Sequence, residues 1–250
     1  MSDIIRREPD EHSHREVGAV VGSWCQPLAM VGDAAVYHVD LAPSEACEAQ
    51  ALAWLGDDER SRWQSYRNPI PRRRFALCRA ALRAVIGCHL GLPNDRLGFA
   101  ITKHGKPFAT VGRERVHASF NVSHSGHHGL VAFAPHARVG VDVEDRGLRR
   151  NLDGLIRAIS SSVELAEFEQ LDQDQRTHLF FRLWTLKEAV VKAHGSGISS
   201  VAMSGLEIPV AMLRGAPRGV CRFPQNSGST WFLEDLGSGE YAAALAYETE

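Results

Sequence analysis

The chain has 250 residues, 44% of them apolar and 23% charged, and a net charge of −2. That balance describes a folded, water-soluble chain long enough for one large domain or two small ones. It argues against disorder, and nothing global in it points to nucleic acid or a membrane surface.

In chain order, the opening "MSDIIRREPDEHSHRE" is polar and lacks the apolar stretch of a signal peptide, so residues 1–16 read as a frayed tail. "AAVYHVDL" alternates like a strand. "SEACEAQALAWLG" has helical spacing behind a Ser cap, and "ERSRWQSY" reads as a second, short helix. Pro69 and Pro71 are expected to break the chain before an amphipathic helix over "RRRFALCRAALRAVIGCHLG". "GFAITKHGKPFA" reads as a strand, a Gly turn and an extended piece, followed by strands over "VHASFNVSHS", "GLVAFA" and "RVGVDVE".

The second half repeats this order. Ser161 and Glu164 have capping-box spacing. "HLFFRLWTLKEAVVKAHG" reads as a long helix ended by Gly195, and strands over "STWFLEDL" and "YAAALAY" follow. A shallow repeat aligns "FALCRAALRAVI" with "FRLWTLKEAVVK". The expected fold is therefore α/β (α+β): two similar, pseudo-symmetric subdomains over 17–135 and 136–250, each a long helix on a small, mostly antiparallel sheet.

Two carboxylates mark the strand "VGVDVE". Asp142 and Glu144 stand at i and i+2, so they point the same way and repel unless a cation lies between them. On the "WTLKEAVVK" helix, Trp184, Glu188 and Lys192 share a face. Glu188 and Lys192 read either as a helix salt bridge or, for Glu188, as the third acid of a site with Asp142 and Glu144. Three hard oxygen donors suit Mg²⁺ beside a phosphate, and they are then expected to converge. Zinc would want His or Cys. The five cysteines (Cys25, Cys47, Cys78, Cys88, Cys221) form no C-x-x-C pair, and the histidines near "FNVSHSGHHG" follow no ligand motif. A serine hydrolase lacks its G-x-S-x-G.

The remaining charges ask for an anion. From Arg60 to Arg83 there are eight arginines and no acid. Arg72, Arg73 and Arg74 are expected at a helix start, where free N–H groups favour phosphate. Lys103 and Lys106 flank a Gly turn, and Ser123 and His124 can donate to phosphate oxygens.

"FNVSHSG", "VGVDVE" and "LWTLKEAVVKAHGSGIS", in this order and with "ITKHGKPF" ahead of them, resemble the 4'-phosphopantetheinyl transferase superfamily in its double-length, Sfp-like branch. The resemblance spans roughly residues 35–250 and implies a ligand cleft between the two subdomains. It also implies transfer of the phosphopantetheine arm of coenzyme A to a serine of an apo acyl, peptidyl or aryl carrier protein, releasing adenosine 3',5'-bisphosphate. Asp142, Glu144 and Glu188 match the family's magnesium ligands, with manganese as an alternative ion. Lys192 matches the lysine on the diphosphate, and Lys187 is the first lysine of the same motif. Lys106, Ser123, His124, Arg74 and Arg62 match coenzyme A positions, while Glu59 stands where some relatives carry a base. The implied chemistry has Glu188, or a water it orients, take the serine proton while Lys192 steadies the leaving phosphate. The protein is expected to be a cytoplasmic monomer without nucleic acid or membrane partners. The competing reading is a catalytically silent module that binds coenzyme A or a carrier.

Overall fold

The computed structural model describes residues 22–102, 105–147, 151–195, 203–222 and 229–249, together with Val17. The tail over 1–16, Lys103 and the end of the "LWTLKEAVVKAHGSGIS" motif lie outside the described residues. Two compact units divide after Ala137.

The first unit holds strands β1 (Cys25–Val31) and β2 (Ala34–Asp40), then helices α1 (Glu45–Trp54), α2 (Asp57–Ser65) and α3 (Pro69–Leu90). Strands β3 (Leu97–Ile101), β4 (Pro107–Val111), β5 (Glu114–Arg115), β6 (Ser119–Ser125) and β7 (His128–Ala134) follow. One four-stranded antiparallel sheet has the order β1-β2-β7-β6, and a smaller one runs β3-β4-β5. Ser44 caps α1, its hydroxyl accepting from the Cys47 N–H.

Pro69 and Pro71 do not break the chain. Asn68 accepts from Ile70 N–H as N-cap, and Pro69 takes the first helical position, where its missing N–H costs nothing. Arg72, Arg73 and Arg74 therefore lie beyond the first turn, and the phosphate site expected from the free N–H groups of a helix start is displaced from them. Leu77, Ala80, Ala81, Ala84, Val85 and Ile86 are fully buried along α3 and form the core with Tyr37, Val131 and Phe133. Gly91, in the left-handed region at φ 63°, ends the helix.

The second unit begins with β8 (Val139–Asp145), followed by helices α4 (Leu152–Ile159), α5 (Ser162–Ala166), α6 (Gln173–His194) and α7 (Val210–Leu213). Strands β9 (Arg218–Arg222), β10 (Thr230–Asp235) and β11 (Tyr241–Thr249) complete it. Its antiparallel sheet has the order β8-β11-β10-β9. Ser161 and Glu164 form the expected capping box on α5. A second box, Asp172 with Gln175, starts α6 earlier than its apolar pattern suggests, and Gly195 at φ 80° ends it. Each unit thus rests a 22-residue helix on a four-stranded antiparallel sheet. Among the described residues, no helix is long and apolar enough to cross a membrane.

Candidate active site

The second unit owes its site to a close approach of helix and strand. Gly140, Asp142 and Glu144 pair in register with Ala246, Ala244 and Ala242, so all six residues share one face of the sheet. Those three alanines pack in the same core as α6, so the shared face is the one covered by that helix. A Cβ at Gly140 would stand 2.2 Å from the Ala189 carbonyl oxygen and 2.3 Å from the Ala193 amide nitrogen. Only glycine admits the α6 backbone this near the strand. Glu188 and Lys192 each precede one of these alanines, and the contact brings both over Asp142.

Lys192 Nζ lies 2.6 Å from Asp142 Oδ1. Asp142 is 3% exposed and Glu188 4%, and Glu188 Oε1 is buried without a hydrogen-bond donor. Burial, reinforced by the Asp142 carboxylate, pushes the Glu188 carboxyl up to about 7. Lys192 pulls the other way, and Glu144, half-buried further along β8, adds a smaller push.

Both strand acids act on the Glu188 carboxyl, so the three share a neighbourhood without forming a closed cluster. Among the described residues, no three His, Cys, Asp or Glu side chains stand close enough to hold a metal ion. The Lys192 ammonium is a cation beside Asp142, and Glu144 sits toward the open end of the strand. The donor set nevertheless fits a hard divalent cation. Asp142 and Glu188 are neighbouring carboxylates that repel one another, and Glu188 Oε1 lacks the donor that a buried carboxylate oxygen ordinarily has.

Lys187 is placed elsewhere. It is fully buried, and its ammonium donates to Glu164 Oε2 at 2.6 Å, Ile159 O at 2.7 Å and Met203 O at 2.8 Å. Those three acceptors use all its protons, so the expected contact with coenzyme A is replaced by a structural one. Burial lowers its pKa from the ordinary lysine value, and Glu164 opposes that shift. Glu164 also receives the Ser161 and Ile208 amides, each at 2.8 Å. The capping-box spacing had marked Glu164 only as a helix start.

In the first unit, Arg74 and His124 line one hollow of about 420 Å³ with Arg62, Tyr66, Phe75 and Asn121. Arg74 Nη2 donates to Gly126 O at 2.7 Å, tying α3 to the β6–β7 turn, and its Nε is buried without an acceptor. Arg62 lies over the Phe75 ring at 5.1 Å from the centroid. Ser123 and His124 are adjacent on β6 and so face opposite ways. Ser123 is buried beside Leu130, while His124 is exposed and lines the hollow. Lys106 is half-buried at the end of the turn between β3 and β4, its amide bonded to Thr102 Oγ1 at 3.1 Å.

Comparison with known proteins agrees with this anatomy. The 4'-phosphopantetheinyl transferase superfamily matches residues 138–246, and the family described as 4'-phosphopantetheinyl transferase, N-terminal, matches residues 40–136. The chain is 30% identical over 177 residues to 4'-phosphopantetheinyl transferase HetI of a Nostoc species, covering 71% of this chain and 73% of that one. It is 36% identical over 147 residues to slr0495 of a Synechocystis species, so it spans 59% of that relative's length and 59% of its own. With 4'-phosphopantetheinyl transferase Sfp of Bacillus subtilis it shares 25% identity over 162 residues, 65% of this chain and 70% of that one. The chain belongs to the 4'-phosphopantetheinyl transferase superfamily, in its Sfp-like branch.

Proposed function

We propose that the protein transfers the 4'-phosphopantetheine arm of coenzyme A to a serine of an apo carrier protein and releases adenosine 3',5'-bisphosphate. The observation that carries this reading is the pairing of Lys192 with Asp142 beside a Glu188 whose pKa is raised to about 7. Such a carboxyl can take and release a proton near neutral pH.

Asp142 and Glu188 would hold magnesium, or manganese in its place, with Glu144 drawn in as the third donor. Magnesium, when bound, withdraws charge from a diphosphate and makes its phosphorus more open to attack. Lys192 sits where it can share its ammonium between Asp142 and a diphosphate oxygen, favouring charge that grows on the leaving phosphate. The Glu188 carboxylate is the base for the serine hydroxyl, directly or through a water it orients. Arg74, Lys106, Arg62 and His124 would hold the phosphates of coenzyme A. Lys187 is assigned no contact with it, because its three protons are already taken.

The test is to incubate the purified protein with coenzyme A, Mg²⁺ and a panel of apo carriers, and then weigh the carriers. A gain of one phosphopantetheine on at least one carrier, absent without Mg²⁺, is expected. Tight binding of coenzyme A or carrier with no mass gain on any carrier would favour a silent binding module.

A further inference from the structure

Two histidines from distant parts of the sequence meet in the first unit, on the face of its larger sheet turned away from α3. His38 lies on β2 and His128 at the start of β7. In the ladder His38 pairs with Leu130 and Asp40 pairs with His128, so these side chains share one face. Val39 and Gly129, between them, face the α3 core instead. Ser125 flanks His128 from β6. His38 Nε2 and His128 Nδ1 stand 3.1 Å apart. The rings are tilted by 49° with centroids 5.3 Å apart, so they meet nitrogen to nitrogen rather than stacking. Both residues are half-buried.

The proposed transfer chemistry leaves this pair unused. Its partners lie 90 residues apart, which hides them from any local ligand motif, whereas the β2–β7 ladder fixes them in place. One ring donates to the other, and the tautomer decides which. When the donor ring moves its proton to its other nitrogen, both facing nitrogens present lone pairs and both rings stay neutral. Two such donors form a chelate. With bonds of about 2.0–2.1 Å, nitrogens 3.1 Å apart subtend roughly 100° at an ion, between the octahedral and tetrahedral angles. A small turn of each ring brings the lone pairs to that point. Asp40, exposed beside His128, adds negative charge on the same face, while its Oδ1 accepts the Ala42 amide at 2.9 Å. Among the described residues no third His, Cys, Asp or Glu completes a cluster, so water fills the rest of the shell.

We infer that His38 and His128 chelate a borderline divalent ion of the first transition row, zinc above all, with copper or nickel able to take its place. Imidazole nitrogen suits these ions, whereas magnesium prefers oxygen donors, so this site and the acids of β8 and α6 prefer different metals. The ion clamps β2 to β7 at the end of the ladder that leads into the β6–β7 turn. That turn is already held by Arg74 at Gly126 O and by the Leu41 amide at His127 O, at 2.7 and 2.8 Å. The ion therefore stabilises the first unit without entering the transfer chemistry.

Zinc alone is the probe, titrated calorimetrically into the full-length wild-type protein, His38→Gln and His128→Gln. Melting curves without metal check that each variant folds. The wild type should bind one zinc ion that each variant binds about a hundredfold more weakly, because a chelate makes its second contact within one molecule. Zinc should also raise the melting temperature of the wild type more than that of either variant. The acids, the cysteines and the other histidines are common to the three proteins, so the difference belongs to the pair. Identical titrations overturn the inference, and so does a loss confined to one variant, which puts the zinc on a single histidine. Nickel supplies a reading that needs no variant. In the wild type its unpaired electrons should broaden the amide resonances of His38 and His128 together at substoichiometric addition, and broadening that spares either one overturns the site. None of these readings depends on transfer to a carrier, so they stand or fall apart from the proposed function.

Discussion

The ammonium of Lys192 lies 2.6 Å from Oδ1 of Asp142, joining residues 50 positions apart through a helix and a strand. This lysine places a positive charge beside the acids of β8 and α6. A divalent ion would compete with it for Asp142, and the lysine would then be free to meet an anion.

The first prediction follows from that competition. Lys192→Ala should destabilise the metal-free protein by roughly 1–3 kcal/mol, because it leaves the Asp142 carboxylate buried without its cation. Mg²⁺ should restore most of that loss in the variant and stabilise the wild type less. Asp142→Ala should keep the fold, show no response to Mg²⁺ and lose transfer. Melting curves with and without Mg²⁺ check all three proteins. An equal Mg²⁺ response in wild type and Asp142→Ala would remove the metal from this site.

A second prediction concerns pH. The folded Glu188 carboxyl titrates at about 7, above its ordinary value of 4.5, so the folded protein holds a proton that the unfolded chain gives up. Its contribution to stability is full below the unfolded value and is lost as pH rises from about 4.5 to about 7. Denaturant midpoints of the metal-free protein across this window should fall more steeply in the wild type than in Glu188→Gln. The difference between the two isolates Glu188 from the histidines that titrate nearby. Parallel curves would mean that Glu188 carries no raised pKa.

Elements with a stop or start signal were the legible ones. Ser44, the Ser161–Glu164 box and Gly195 each fixed a helix end, because a cap is a local interaction between neighbours in sequence. The start of α3 was misjudged because Pro69 both ends an extended run and begins a helix well, and local sequence does not separate those roles. Strand β1 was missed: Pro27 lies at an irregularity in its pairing, which hides the alternation of an edge strand.

In the site, the i and i+2 acids and the i+4 helix face were visible as patterns. Which strand lies under that helix face is a long-range fact, and so the Lys192–Asp142 bond was not visible. Gly140 was the overlooked signal: a glycine among valines in mid-strand marks a close backbone approach. Lys187 and Glu188 looked alike in the motif, yet neighbours on a helix point about 100° apart, and one meets the acids while the other enters the core.

A third prediction tests the buried pair. Lys187→Met removes a fully buried ammonium and leaves the Glu164 carboxylate without it, which should cost about 3–5 kcal/mol. Adding Glu164→Gln removes the stranded charge while keeping a carbonyl oxygen for the Ser161 or Ile208 amide. The double variant should therefore recover part of the loss, although the single Glu164→Gln change destabilises the wild type. Urea unfolding of the four proteins measures the coupling. Strictly additive losses would show that Lys187 and Glu164 do not act as a pair.

The last prediction returns to Gly140. Its missing side chain lets Ala189 and Ala193 rest on β8, and any Cβ there must displace helix backbone, because the nearest atoms are main-chain ones. Gly140→Ala should therefore destabilise the protein by at least about 1–3 kcal/mol, the usual cost of overfilling a packed interior. The helix would be lifted at the two turns that carry Glu188 and Lys192, so the bond from Lys192 to Asp142 should weaken along with the fold. Transfer at saturating coenzyme A should fall even at temperatures where the variant remains fully folded, and the pH slope assigned to Glu188 should flatten as water reaches its carboxyl. Gly129→Ala is the matched control. Its Cβ would meet side chains of Cys78, Val39 and Leu41 at 3.0 to 3.3 Å in the first unit, and it should lose stability without altering that pH slope. A Gly140→Ala protein with wild-type stability and turnover would mean that helix α6 does not lie on β8 at this point.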